Sequence, residues 1–329
     1  MTAERPLKIS GIRPGAGRFS DALFARLMAL AAVGVIAVLG ATAIFLLVKA
    51  WPSLTHYGPT SFLSSTRWAP SEASATAAHP NPYGVLQFVV GTLVTSLLAM
   101  LIAVPVSVAV SLYITNLAPS FLKKSLSSLV DLLAAIPSVV YGFWGIFALI
   151  PAIRPLGDWL TGLSGIPVIG WLFRGPFFGY SVLTAGIVLS IMVLPIVTAI
   201  CREVFDTAPV EEKEAALGLG ATKWEMLRMA VLPRSRSGIV GASILGLGRA
   251  FGETIAVTMV IGNNVLSIMH SVLSSGATLP SVIANEFTEA NQPFHLSSLF
   301  VVAFCLLVMS LLVNVIGKRI VSRTGEHIA

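Results

Sequence analysis

Six apolar stretches, set apart by segments rich in glycine, proline and charge, give the chain its rhythm. They fall near residues 27–50, 87–115, 128–151, 179–201, 238–262 and 296–317. Each is at least as long as the roughly 20 residues an α-helix needs to cross the hydrocarbon layer of a bilayer. Backbone N–H and C=O groups find no water there, so such a segment must satisfy them within its own helix. The pattern predicts an all-α membrane protein with six transmembrane helices. Pro105, Pro137 and Pro195 fall inside three of the stretches. They predict kinks rather than ends, because neighbouring helices can take up the freed carbonyls.

Composition narrows the class. Of 329 residues, 55% are hydrophobic and 11% charged, with a mean hydropathy of +0.87. A soluble domain carries about 25% charged residues, too many for this chain to match with a water-facing surface. The first apolar run passes a small-residue "ATA" at 41–43 but continues to Val48. That is too long for a signal-peptide core of about 7–15 residues, so it reads as a retained span. Cys201 and Cys305 lie in or beside apolar stretches and suggest neither a disulfide framework nor a metal site. His56, His79, His270, His295 and His327 are scattered, so no constellation for a membrane-bound enzyme is visible, and no cofactor or metal is expected.

The net charge of +6 reads as an orientation signal rather than a nucleic-acid patch. With the N-terminus inside, sixteen basic residues face the cytoplasm: Arg5, Lys8, Arg13, Arg18, Arg26, Lys123, Lys124, Arg202, Lys213, Lys223, Arg228, Arg234, Arg236, Lys318, Arg319 and Arg323. The other side keeps four, Lys49, Arg67, Arg154 and Arg174. That bias places both termini in the cytoplasm. It divides the chain into an N-terminal tail 1–26, a six-span domain 27–320 with a cytoplasmic loop 202–237, and a C-terminal tail 321–329. Three segments then face outward. Segment 51–86 is an irregular loop, and 152–178 is apolar but too broken by Gly and Pro to span, with Trp159 and Trp171 suited to the interface. In 263–295, "LPSVIANEFTEA" predicts a short helix.

Two charges interrupt the fifth stretch, in "GLGRAFGETIAV" at 246–257. Arg249 and Glu253 are four apart, so on a continuous helix they share a face and can pair. Each costs roughly 2.5–3.5 kcal/mol at the bilayer centre, so such residues face a bundle interior or a watery cavity. Gly248 and Gly252 offer a small-residue track for close helix approach. Two readings stay open: a buried ion pair that sets helix register, or an arginine that contacts an anion in transit. A guanidinium is always charged and can donate two parallel hydrogen bonds to a tetrahedral oxyanion. Glu253 would hold Arg249 when no anion is present. It would also favour phosphate, which carries a donor proton at neutral pH, over sulfate, which does not. Asp131, near the inner start of the third stretch, is a weaker candidate, and Asn263 and Asn264 are candidates for the outer mouth.

The loop 202–237 contains Pro209 followed by Glu211, Glu212 and Glu214, a helix start with acids in its first turn. Gly218 and Gly220 break that helix, and a second short amphipathic helix follows until Pro233. The run "EAALGLG", nine residues, then "AVLP" resembles the EAA loop of ABC-importer permeases: EAA, three residues, Gly, nine residues, Ile-x-Leu-Pro. Glu214, Ala215, Ala216, Gly220, Leu232 and Pro233 match in register, and Ala230 stands at the isoleucine position. The stretch "GLGRAFGETIAVTMVIGN" resembles the phosphate-specific ABC-transporter permeases, of the PstC kind. So do "FLSSTRWAP" at 62–70, "YGVLQFVVGTLVTSLLAMLIAVPVSVAVSLYI" at 83–114 and "IPSVVYGFWG" at 136–145. Together these cover most of residues 60–320.

The resemblance implies a type I ABC-importer permease architecture in the inner membrane of a bacterium, and transport of inorganic phosphate. It implies three kinds of partner: a homologous second permease subunit, a cytoplasmic ATPase dimer seated on the EAA loop, and an extracytoplasmic phosphate-binding protein. It also matches Arg249 and Glu253 to the family's functional charged pair. The chain carries no ATPase site of its own, since its one Gly-Lys pair, Gly317-Lys318, is followed by Arg319 and lacks the phosphate-cradling pattern. Two rivals remain: a permease for another oxyanion (sulfate, molybdate or phosphonate), and an ion-coupled secondary transporter in which Glu253 carries the proton. The second leaves the EAA-like loop unexplained.

Overall fold

A computed structural model describes residues 16–70 and 82–326, and among them only helices, their connections and two isolated bridges occur. Arg5, Lys8, Arg13, most of the 71–82 insert and the end of the C-terminal tail lie outside the described residues. The chain forms two units, residues 1–48 and 49–329. The first is the larger part of helix α1 (Ala16–Tyr57), with Val33, Ile36 and Leu39 exposed along it. The second contains everything that positions the candidate site.

Its helices, in chain order, are α2 (Pro59–Ser64), α3 (Leu86–Leu112), α4 (Ser120–Ala134), α5 (Ser138–Trp144), α6 (Ile150–Gly162) and α7 (Val182–Asp206). Then come α8 (Val210–Gly218), α9 (Lys223–Met226), α10 (Leu232–Arg234), α11 (Arg236–Gly252), α12 (Ile255–Val260), α13 (Leu279–Glu286) and α14 (Pro293–Glu326). Single π-helical turns at Tyr113–Leu117, Gly145–Leu149 and Leu227–Val231 extend α3, join α5 to α6, and join α9 to α10.

Five helices among the described residues are long and apolar enough to cross a membrane: Asp21–Tyr57, Leu86–Leu117, Ser138–Gly165, Val182–Asp206 and Pro293–Ser322. Four correspond to the first, second, fourth and sixth predicted stretches. The third differs. Pro137 ends a helix instead of kinking one: α4 stops at Ala134, and Pro137 is the N-cap of α5. A proline disfavours helical geometry in the residue before it and brings no N–H of its own, so the break at 135–137 follows from local sterics. The apolar helix therefore starts at Ser138 and runs through α6 into the segment expected to be an outer loop. The glycines and Pro155 in that segment do not stop it: Pro155 is accommodated within α6, and Gly157 lets the Phe177 ring lie against the backbone.

The fifth predicted stretch is also not one helix. It is α11 of 17 residues and α12 of 6, separated at Glu253 and Thr254. Pro105 and Pro195, by contrast, lie inside α3 and α7, which continue through them.

The core is the seam between α3 and α7. Small side chains recur along the buried face of α3, at Ser96, Ala99, Ala103, Ser107 and Ser111, and admit α7 closely. Ser107 Oγ donates to the Leu194 carbonyl at 3.0 Å and Ser111 Oγ to the Thr198 carbonyl at 2.9 Å. Between apolar helices such bonds average about 0.6 kcal/mol each, while close packing does the rest. Helix α11 joins this seam where Gly246 meets Val193 and Val197, and α14 closes on α11 where Gly317 meets Ile244.

At the N-terminal end of α7, a second cluster holds the "FLSSTRWAP" segment. Trp68 is fully buried; its Nε1 donates to Glu286 Oε2 at 2.7 Å, and His295 Nε2 lies 2.8 Å from the same oxygen. Helix α13, the short helix expected in "LPSVIANEFTEA", starts from a capping box between Thr278 and Ser281. Tyr83 stacks on His295, and burial pushes its hydroxyl pKa up to about 12.

Candidate functional site

Arg249 lies in the last turn of α11, and Gly252 ends that helix. Glu253 then adopts extended geometry, with φ −71° and ψ 123°, so it has left the helical face that carries Arg249. Among the described residues the two form no ion pair, which corrects the expectation drawn from their spacing. The cause is the break: the i, i+4 rule applies only while the helix continues. Arg249 is exposed and Glu253 half-buried.

The exposure has a pattern. On α11, Gly241, Leu245, Gly248, Arg249 and Gly252 recur at helical spacing. A Cβ built on any of those three glycines meets nothing within 4 Å, and Leu245 is 59% exposed. Elsewhere on α11, Gly238 packs on Val204 and Gly246 on Val193 and Val197 of α7. Gly248 and Gly252 are thus not the track against this chain's own helices; they flank Arg249 with open space. Non-helical backbone at membrane depth persists only where protein covers it or where it borders a watery cavity. A helix break beside an uncovered arginine fits the second condition.

Alongside α12 lies α5 with the π-helical turn that follows it: Gly142 lies against Met259 and Gly145 against Val260, so bare backbone brings the end of α12 away from the break close. Tyr141 of α5 is within electrostatic reach of Arg249, and its hydroxyl donates to the Leu133 carbonyl at 2.9 Å, bridging the Pro137 break. Asp131, on α4, pairs with Arg202 of α7 at 2.8 Å, so its carboxylate has a structural partner.

At the C-terminal end of α7 stands the loop singled out by its EAA pattern. Pro209 caps α8, Glu211 and Glu212 occupy its first turn, and Gly220 takes φ +88°, the left-handed geometry that suits a glycine after a helix. Thr222 and Glu225 form a capping box at the start of α9, and these bonds hold the Glu225 carboxyl below its usual pKa. Glu214, Ala215 and Gly220 are exposed, while Ala216 and Leu232 pack inward against the core. Pro233 does not stop the second helix: it lies inside α10, and the chain turns at Ser235 into α11. The six matched residues therefore form one elbow feeding directly into the helix that carries Arg249. Composition alone did not reveal its exposed apolar rim, Leu219 at 91%, Trp224 at 62% and Met229 at 60%.

Residues 103–326 match the family described as the binding-protein-dependent transport system inner membrane component. The chain belongs to that family. It is a membrane transport component, in keeping with its several apolar helices. Similar curated proteins include three named phosphate transport system permease protein PstC. That of Mesorhizobium japonicum is 40% identical over 314 residues, covering 93% of this chain and 92% of the relative. That of Xylella fastidiosa is 41% identical over 312 residues, with 93% and 92% covered. That of Haemophilus influenzae is 38% identical over 310 residues, with 93% and 94% covered. Among solved structures, a chain of the MetNI methionine ABC transporter in an inward-facing conformation aligns with a TM-score of 0.49 at 20% identity, covering 73% of this chain and 94% of that one.

Asn263 and Asn264 line a cavity of about 620 Å³ at the far end of α12 from the break, together with Arg174, Tyr180 and Ser275. From its sequence alone, Arg174 is only one of four outer cations.

Proposed function

We propose that this chain is one permease half of an ATP-driven importer that carries inorganic phosphate across the inner membrane. The observation that carries the reading is Arg249, uncovered beside the α11–α12 break on a face its own chain leaves open. A homologous second permease subunit would complete that face, and the anion would pass between the two. The names of the similar proteins support phosphate as the cargo.

The chemistry follows from the groups present. Arg249 offers a permanent positive charge and a planar pair of donors for a tetrahedral oxyanion. Glu253, free of Arg249, is available to accept a hydrogen bond from the proton that phosphate retains at neutral pH. Sulfate has no such proton and meets a bare carboxylate instead.

Energy enters through partners. The elbow α8–α10 would seat on a cytoplasmic ATPase dimer, with Glu214 and Ala215 outward and Ala216 and Leu232 anchoring the elbow to the core. A short helix with exposed apolar side chains laid in a groove is a known recognition mode. Because α10 leads into α11, movement of the elbow tilts the helix that bears Arg249. In this arrangement α11 and α12 together form the fifth of six crossings, both termini are cytoplasmic, and an extracytoplasmic phosphate-binding protein delivers the anion to the far side. Phosphate uptake that requires a co-expressed ATPase and binding protein supports the reading; uptake undiminished without the ATPase contradicts it.

A further inference from the structure

The cavity at the outer end of α12 has features that the proposed pathway does not by itself require. Its volume is about 620 Å³, and it is lined from three directions: the 174–180 segment before α7, the end of α12 with Gly262 to Asn264, and the 273–275 loop. Backbone geometry holds it open. Gly262 takes φ +91°, and a Cβ there would strike Ser275, so only a glycine leaves the space between these two walls empty. The bridge between Gly262 and Gly276, with Asn264 N donating to the Gly276 carbonyl at 3.1 Å, ties the walls together.

Its charge is one-sided. Arg174 lines the cavity, and no carboxylate does. The side-chain donors of other lining residues are already used: Asn263 Nδ2 donates to the Thr258 carbonyl, Asn264 Nδ2 to Ser267 Oγ, Thr258 Oγ1 to the Thr254 carbonyl and Ser274 Oγ to the Ser271 carbonyl. Three are not. Among the described residues, the Arg174 guanidinium and the Tyr180 and Ser275 hydroxyls have no protein partner. One permanent cation and two free hydroxyls around a space without carboxylates match an oxyanion, which accepts from every side. Thr258, on α12, also lines the space, and α12 is 6 residues long. Thr258 is four positions past Thr254, so at 1.5 Å per residue the cavity begins about 6 Å along that helix from the break.

We infer that this cavity is a receiving station for the oxyanion, with Arg174 as its anchor and Tyr180 and Ser275 as orienting donors, one short helix before the Arg249 passage. The inference rests on the phosphate-import reading for its substrate class. A single cation in an open, hydroxyl-lined space holds the anion weakly, as a station that must release its cargo inward requires.

The test uses the assembled transporter in membrane vesicles. Phe178 lines the cavity and is 80% exposed, so Phe178→Cys is a reporter, in a chain with Cys201 and Cys305 replaced by alanine. Its rate of modification is compared between a negatively and a positively charged methanethiosulfonate reagent, with and without inorganic phosphate, potassium chloride serving as the ionic-strength control. The inference predicts that the negative reagent reacts about fivefold faster or more, the effect of one charge acting over about 4 Å in water. It also predicts that phosphate slows that reaction while chloride does not. Adding Arg174→Gln removes both effects, and Arg174→Lys restores the charge preference. Equal rates for the two reagents, or phosphate protection that survives Arg174→Gln, overturn the inference. Failure of the import reading looks different: cells gain no phosphate uptake from the wild-type chain, whatever the labelling shows.

Discussion

Arg249 and Glu253 are four positions apart in the chain, yet they stand on opposite sides of a helix end: Arg249 closes α11, and Glu253 leaves it with ψ 123°. The separation changes what each can do. A paired arginine is neutralised and held; an unpaired one beside open space is available to a passing anion. The carboxylate is likewise freed to accept a proton donor.

Glu253→Gln keeps the shape and removes the charge. Since Glu253 has no ion pair to lose, the variant chain accumulates normally in the membrane and assembles. Phosphate uptake falls by about tenfold, the scale of one hydrogen bond to a charged group, and the transporter discriminates against sulfate less sharply in competition. Uptake at the wild-type rate would remove Glu253 from the pathway.

Trp224→Ala and Leu219→Ser act at the elbow, where both side chains are exposed and contribute nothing to this chain's core. Stability of the isolated chain is unchanged, and uptake is lost with the ATPase no longer co-purifying. Retained ATPase association in both variants would place the contact elsewhere on the loop.

Gly91→Ala tests how the outer end of the fold is held. A Cβ at Gly91 would overlap the Ala277 carbonyl, which belongs to backbone and cannot rotate away. Next to it, Thr92 Oγ1 accepts from Leu279 N at 2.9 Å and helps seat α13. Overpacking of this kind costs about 1–3 kcal/mol, read as a lowered thermal midpoint of the purified chain. Gly248→Ala, facing open space, leaves that midpoint unchanged.

The Glu225 carboxyl is held below its usual range, first by the Thr222 backbone N–H and then by the Thr222 hydroxyl. A depressed folded-state pKa means that the capping interaction is complete above the ordinary carboxylate range and is lost as pH falls through Glu225's own, lower value. Carbon-13 titration of that carboxyl should give a midpoint below the ordinary glutamate range, and Thr222→Ala should raise it. A midpoint at the ordinary value in the wild type would show that the box is open in solution.

Four of the long helices were legible because hydrophobic length is a local property, and a run such as 86–117 leaves no other way to satisfy its backbone. The elbow was legible in part through spacing, since Gly220 turns the chain after α8, whereas Pro233 lies inside α10 rather than ending it. The errors came from competition between local signals. Pro105, Pro137 and Pro195 look alike in sequence, but only Pro137 follows an amphipathic helix whose Asp131 is drawn to Arg202, and only there does the helix end. The break after Gly252 carries no proline at all. Beyond it, α12 packs against Gly142 and Gly145, more than a hundred positions earlier, a contact that no local pattern records. The donors around Arg174 were invisible for the same reason, being assembled from three separate segments.

The central claim is that Arg249 serves the anion rather than the fold. Labelled-phosphate uptake is measured in cells lacking this chain, complemented with the wild type or with Arg249→Gln at matched membrane levels. The account predicts that the wild type restores uptake while Arg249→Gln, though assembled with its ATPase, restores less than about a tenth of it. Equal restoration by both would contradict it.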